Sequence, residues 1–212
     1  MQNTDWLSIA QRLQSLAQAG LAYSHNLYDT ERYEELRALS VEIMARLTDE
    51  PVEKLTALFA SETGYQTPKV DVRAVLFRGT DEILMVQEKI DGDRWTLPGG
   101  WADIGYSPSE TAVKEAYEET GLHTQAVRLL ALFDKRLHPH PKPEPWYIYK
   151  CFILCHITGG EVLANTAETS GCRWVHESEI TALPLSVDRV TVSQLRTLFE
   201  FARQPEKPTL CD

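Results

Sequence analysis

Three glutamates, Glu115, Glu118 and Glu119, stand at i, i+3 and i+4. At about 100° per residue, this spacing gathers their carboxylates within roughly a third of a helix circumference. Hard oxygen donors held that closely outline a site for a divalent cation. Spacing alone is weak evidence, because Glu31, Glu34 and Glu35 repeat it in a segment that reads as a solvated helix face. Context separates the two sets. The second follows the loop Pro98-Gly99-Gly100, which feeds a helix with strong end signals. Like charges at i, i+4 repel by a few tenths of a kcal/mol unless cations compensate.

The helix that must position these carboxylates is expected over Pro108 to Thr120. Ser107 is its N-cap, Pro108 its first residue, Glu110 the partner in a capping box and Gly121 the residue that stops it. Around it the chain alternates in period two. VDVRAVLF, EILMVQE and RWTLP read as strands, with turns at Arg78 to Asp81 and Asp91 to Asp93. Further strands are expected over Ala126 to Arg136, Trp146 to Ile157 and Gly171 to Val175, then a last helix using Val190, Leu195, Leu198 and Phe199. This order predicts an α/β (α+β) sandwich with a mixed sheet and helices on its faces.

The first 64 residues differ in kind. Trp6, Ile9, Ala10, Leu13, Leu16 and Ala17 form one helical stripe, and Tyr33, Leu36, Ser40, Ile43, Met44 and Leu47 a second after a break near His25 to Asp29. A third short helix starts at Pro51, uses Val52, Leu55, Leu58 and Phe59, and stops at Gly64. Short amphipathic helices bury little alone. They must pack on the rest of the chain, on a second copy, or on both, so the expected organisation is a helical extension over 1–64 that contributes to a homodimer interface, a domain over 65–205 that carries the glutamates, and a tail over 206–212.

The stretch GWADIGYSPSETAVKEAYEETGL, Gly100 to Leu122, resembles the Nudix box in its first Gly, its K-E-A-x-E-E core and its closing Gly-Leu. GYQTPKVDVRAVLF, LPGGWADIGYSPSE, the H-P-H-P run and YIYKCFILCHITGGE extend the likeness to Nudix hydrolases with an N-terminal helical extension. The resemblance implies the Nudix α/β/α sandwich. It also implies hydrolysis of a pyrophosphate bond in a nucleoside diphosphate linked to a group X, such as ADP-ribose or CDP-choline. The products would be a nucleoside monophosphate and phosphorylated X. Two alternatives stay open: a nucleoside triphosphate cleanup pyrophosphohydrolase, and a ligand-sensing protein of the same fold without catalysis.

A pyrophosphate repels nucleophiles until Mg²⁺ or Mn²⁺ neutralises its oxygens and acidifies a water. The resemblance assigns Glu115, Glu118 and Glu119 to those ions, with Gly99 and Gly100 beside them, because backbone without a Cβ can approach closely. Catalytic candidates are Glu118, Glu119 and Glu168, the last in a loop just before a strand. Tyr106 and Lys114 depart from the Glu and Arg of the box, and Lys lacks the planar fork of Arg. Asp103 is a candidate further acid. Substrate-binding candidates are Arg73, a charge inside an apolar strand, and Arg136, His138 and His140 in a locally basic stretch that also holds Lys135, Lys142 and Lys150. Trp101 and Tyr147 are candidates for stacking a base, as are Trp95 and Trp146.

Whole-chain composition limits the partners. The 212 residues carry 21 Lys and Arg against 31 Asp and Glu, a formal charge of −10, which argues against tracking a nucleic acid backbone. The helical extension itself has five basic residues and ten acids. No membrane-length apolar run occurs, and the start MQNTDWL lacks signal-peptide character, so a cytoplasmic protein acting on a small nucleotide is expected. The four cysteines fit no zinc pattern, and two lie in the apolar run CFILC as small hydrophobes.

Overall fold

A computed structural model describes residues 6–48, 50–60, 64–138, 140 and 144–212. The chain divides into two compact units, Met1–Pro68 with Lys142–Tyr147, and Lys69–Pro141 with Ile148–Asp212.

The first unit contains three helices, α1 (Trp6–Tyr23), α2 (Leu27–Thr48) and α3 (Val52–Ala60). Their shared core is Ala10, Val41, Met44, Ala45, Leu55 and Phe59. The buried face of α1 differs from the expected stripe. Gln11, Gln14 and Gln18 are buried with Ala10 and Ala17, whereas Trp6 and Leu16 are about three-fifths exposed. Hydrogen bonding explains part of this. Gln11 donates to the Glu144 carbonyl at 2.7 Å and Gln18 to the Gly64 carbonyl at 3.3 Å, so polar side chains tie irregular segments to the helix.

The second unit is the mixed α/β sandwich that the residue pattern predicts. Its strands are β1 (Lys69–Val75), β2 (Phe77–Arg78), β3 (Glu82–Glu88), β4 (Arg94–Thr96), β5 (Gly99–Trp101), β6 (Leu122–Asp134), β7 (Ile148–Gly160), β8 (Thr169–His176) and β9 (Leu210–Cys211). One sheet runs β5-β1-β7-β6-β9, with β1 parallel to β7 and β6 parallel to β9. In the other, β3 pairs with β2, β4 and β8.

Period-two alternation sends each strand's residues to opposite faces. Val72 and Ala74 of β1, with Cys151, Ile153 and Cys155 of β7, meet Ala112 and Ala116 of α4 (Pro108–Thr120). Val75 and Phe152 face the other core, built with Leu195, Leu198 and Phe199 of α5 (Val192–Arg203). Both cysteines of CFILC are buried, and burial pushes each thiol up to about 11.

Two short strands depart from expectation. Gly99–Trp101, expected as loop, pairs antiparallel with β1, and the tail contributes β9 beside β6. Strand β6 also starts earlier than expected, at Leu122. None of the described helices is long and apolar enough to cross a membrane.

Candidate active site

Helix α4 forms as its ends dictate. Ser107 caps it, Glu110 completes the capping box, and Gly121 closes it at φ 77°. With the helix packed through Ala112 and Ala116, Glu115 and Glu119 point inward and are 8% and 3% exposed, while Glu118 stays exposed. Glu168, exposed on the loop ahead of β8, completes a group: each of Glu115, Glu119 and Glu168 offers a carboxylate oxygen within 4.8 Å of the others. Glu118 is not among these three. It pairs with Lys114 at 2.9 Å.

Strand β5 is wedged against the same place. Gly99 has φ 149°, and a Cβ there would lie 2.1 Å from the Val72 carbonyl oxygen, so only glycine lets the chain run this close to β1. The Gly99 N–H donates to Glu119 at 3.1 Å. A Cβ on Gly100 would stand 3.1 Å from Glu115 Oε1. Both glycines therefore line the carboxylate group through bare backbone.

Burial sets the electrostatics. It raises the Glu119 carboxyl to about 8, against the opposing pull of Arg73. It raises Glu115 as well, against Lys114. Two buried carboxyls so close to a third acid have a standing demand for positive charge. Lys114 meets part of it: its ammonium, raised chiefly by its hydrogen bond to Glu118, lies 3.4 Å from Glu115 and 3.9 Å from Asp103. The Tyr106 ring centroid is 6.0 Å from the same ammonium, so Tyr106 and Lys114 do face one another, at the outer reach of a cation–π contact.

Arg73 is 4% exposed. Its guanidinium binds Asp71 at 2.8 Å, donates to the Leu97 carbonyl at 3.1 Å and lies 3.7 Å from Glu88. Asp71 also holds the buried Lys150. Burial disfavours a charged Asp71, but Arg73 and Lys150 together outweigh it and hold its carboxyl below the usual range. Burial pushes Lys150 down to about 8. Arg189 extends this ionic chain, 3.0 Å from Glu88 and 3.5 Å from Asp91. Sequence reasoning singled out Arg73 but missed Asp71 and Glu88 as its partners. The alternation Asp71, Arg73 on one strand face was the available signal.

The other substrate-binding candidates are placed as follows. Arg136 pairs with Asp134, and His138 stacks on Phe133 at 4.0 Å and reaches Asp212 at 3.0 Å. His140 Nδ1 meets the Val187 carbonyl, and burial lowers the imidazole to about 4, so it is neutral at pH 7. Trp101 is about half exposed on β5, and Trp95 is buried in the core. Tyr147 is half-buried in the unit that holds the helical extension. Lys142 lies outside the described residues.

Comparison with known proteins matches residues 67–195 to the NUDIX domain, and residues 4–59 to Nudix_N, described as a UDP-X-like, N-terminal oligomerisation domain. The chain is 47% identical over 209 residues to the Bacillus subtilis (strain 168) protein YjhB, which carries the name of a candidate ADP-ribose pyrophosphatase; the match covers 99% of this chain and 98% of that one. Among solved structures, an ADP-ribose pyrophosphatase from Streptococcus suis 89-1591 is 36% identical with a TM-score of 0.60, covering 69% of this chain and all of that one. A UDP-X diphosphatase is 29% identical with a TM-score of 0.60 over the full length of both.

Proposed function

The chain belongs to the Nudix hydrolases, and on that footing we propose that it cleaves the pyrophosphate bond of a nucleoside diphosphate linked to X, ADP-ribose first among them. The products are a nucleoside monophosphate and phosphorylated X. The observation that carries this reading is the convergence of Glu115, Glu119 and Glu168 from a capped helix and a separate loop.

The donor set fits Mg²⁺ or Mn²⁺. All three groups are hard oxygens, burial disfavours the charged form of the Glu119 carboxyl, and Gly100 leaves open the space a side chain would fill. Glu115, Glu119 and Glu168 would hold the ion, with Gly99 and Gly100 presenting backbone, and Glu118, one residue before Glu119, stays a candidate further ligand. Bound there, the cation supplies charge neutralisation of the phosphoryl oxygens and a more acidic water. Gly99 orients the Glu119 carboxylate through its N–H. Glu168, the exposed member, accepts the proton from the attacking water as the new P–O bond forms and the bridging P–O bond breaks. Arg73 braces the floor beneath, through Asp71 and Glu88.

The relatives support two choices of substrate. Whole-length similarity to YjhB favours ADP-ribose, and the UDP-X-like N-terminal match together with the full-length UDP-X diphosphatase favours a UDP-linked compound. Arg136, His138, His140 and Trp101 remain our candidates for contacts to base and X. We assign the extension, residues 1–64, to a homodimer interface. Its support is the match to a model described as an oligomerisation domain, and the exposure of Trp6, Leu16, Tyr23, Leu27 and Tyr28.

The test is a panel of ADP-ribose, UDP-glucose, CDP-choline and nucleoside triphosphates with Mg²⁺ or Mn²⁺, products separated by ion-exchange chromatography. A linked diphosphate should exceed every triphosphate at least about tenfold in kcat/KM, roughly 1.4 kcal/mol of transition-state binding. Preference for a triphosphate would replace this reading with the cleanup reaction. Binding without turnover of any compound would favour a sensor.

A further inference from the structure

The loop that carries Glu168 is tied to the helix that carries Glu119 by hydrogen bonds that the proposed reaction does not itself use. Thr169, the first residue of β8, is fully buried, and its hydroxyl donates to the Glu119 carbonyl at 2.9 Å. Thr166 Oγ1 lies 2.9 Å from Thr169 Oγ1. A hydroxyl has one proton, and that of Thr169 is committed to the carbonyl, so Thr166 is the donor in this link. Thr166 Oγ1 in turn accepts from the Glu168 N–H at 3.3 Å and the Thr169 N–H at 3.1 Å. Lys89 grips the loop from the end of β3: its N–H donates to the Glu168 carbonyl at 3.1 Å, and its ammonium donates to the Thr166 and Ala167 carbonyls.

Helix ends explain why the link falls there. The last four carbonyls of a helix lack partners within it. In α4 the Tyr117 carbonyl accepts from the Gly121 N–H at 2.8 Å and the Thr120 carbonyl from the Leu163 N–H at 2.9 Å. The Glu119 carbonyl is left to Thr169. A single hydroxyl thus joins the backbone of the most deeply buried acid to the loop of the most exposed one.

We propose that Thr169, acting with Thr166, is a positioning residue that sets the Glu168 carboxylate against Glu115 and Glu119. This rests on the metal-holding role proposed above for those glutamates. Groups that orient ligands without touching the ion typically change affinity or activity about 10–100-fold.

The test uses the full chain. Thr169→Val removes the donor at nearly constant volume, and Thr169→Ser keeps it. Mn²⁺ binding is followed by electron paramagnetic resonance, and kcat and KM are measured on the best substrate of the panel. Thr169→Val should weaken Mn²⁺ binding and lower kcat about tenfold each, with KM for the nucleotide within about twofold, and Thr169→Ser should recover both to within about threefold. Thr166→Val, at a less buried position, should shift both in the same direction and stands in if Thr169→Val does not fold. Glu168→Gln separates the two layers of the argument. Normal Mn²⁺ binding and turnover in Glu168→Gln would remove the underlying role of Glu168. Impairment there, with either valine variant binding and turning over as wild type, or with no recovery in Thr169→Ser, would overturn the positioning role.

Discussion

Helices α2 and α4 carry glutamates at the same spacing, and only on α4 do two of them join the carboxylate group proposed to hold a cation. Glu31, Glu34 and Glu35 are all exposed, so water solvates each carboxylate and the triplet makes no demand on its surroundings. On α4 two of the three are buried, one accepts from the Gly99 N–H, and Glu168 arrives from a distant loop. Spacing sets which side chains can meet. The charge demand that makes a cation worth binding comes from what is packed against them.

The largest effect that would sharpen this contrast is expected at Glu119. Glu119→Gln should lower kcat by about 10²–10³-fold, the range for a lost electrostatic stabiliser, measured by steady-state hydrolysis of ADP-ribose. Glu168→Gln should cost about 10²-fold in kcat in the same assay. Acidity should discriminate the two helices as well. A proton and the cation compete for Glu119, whose carboxyl is raised to about 8, so apparent metal affinity should rise up to about tenfold per pH unit below that value and level off above it. Titrations of metal binding at pH 6, 7, 8 and 9 would show this, and a flat profile would contradict the burial argument. Glu118 is exposed and paired with Lys114, so Glu118→Gln should cost less than Glu119→Gln in the same assay. Glu34→Gln should change kcat by less than about twofold, because exposed substitutions away from special features do little.

Much of α4 was legible because its cues are local: Ser107, Pro108, Glu110 and Gly121 each act within a turn of their own position. The strands of period-two runs were legible for the same reason. Features that depend on distant partners were not. Gly99 and Gly100 read as loop residues, yet the missing Cβ is what lets them pair with β1 as a strand. In α1 the expectation that apolar residues face inward failed at Trp6 and Leu16, because Gln11 and Gln18 find carbonyls in remote segments. Glu168 was singled out only through family resemblance, and its approach to Glu119 spans a separation that no local pattern encodes. Thr169 gave no signal at all, since a threonine opening a strand is ordinary until its hydroxyl reaches the end of a helix.

One paired measurement bears most directly on the claim that burial and convergence, rather than spacing, make the metal site. Glu119→Gln and Glu34→Gln, each with a wild-type circular dichroism spectrum, would be titrated with Mn²⁺ by calorimetry at pH 8. The account predicts that Glu34→Gln binds as wild type does and that Glu119→Gln loses at least about tenfold in affinity. Equal affinities in the two variants would contradict it.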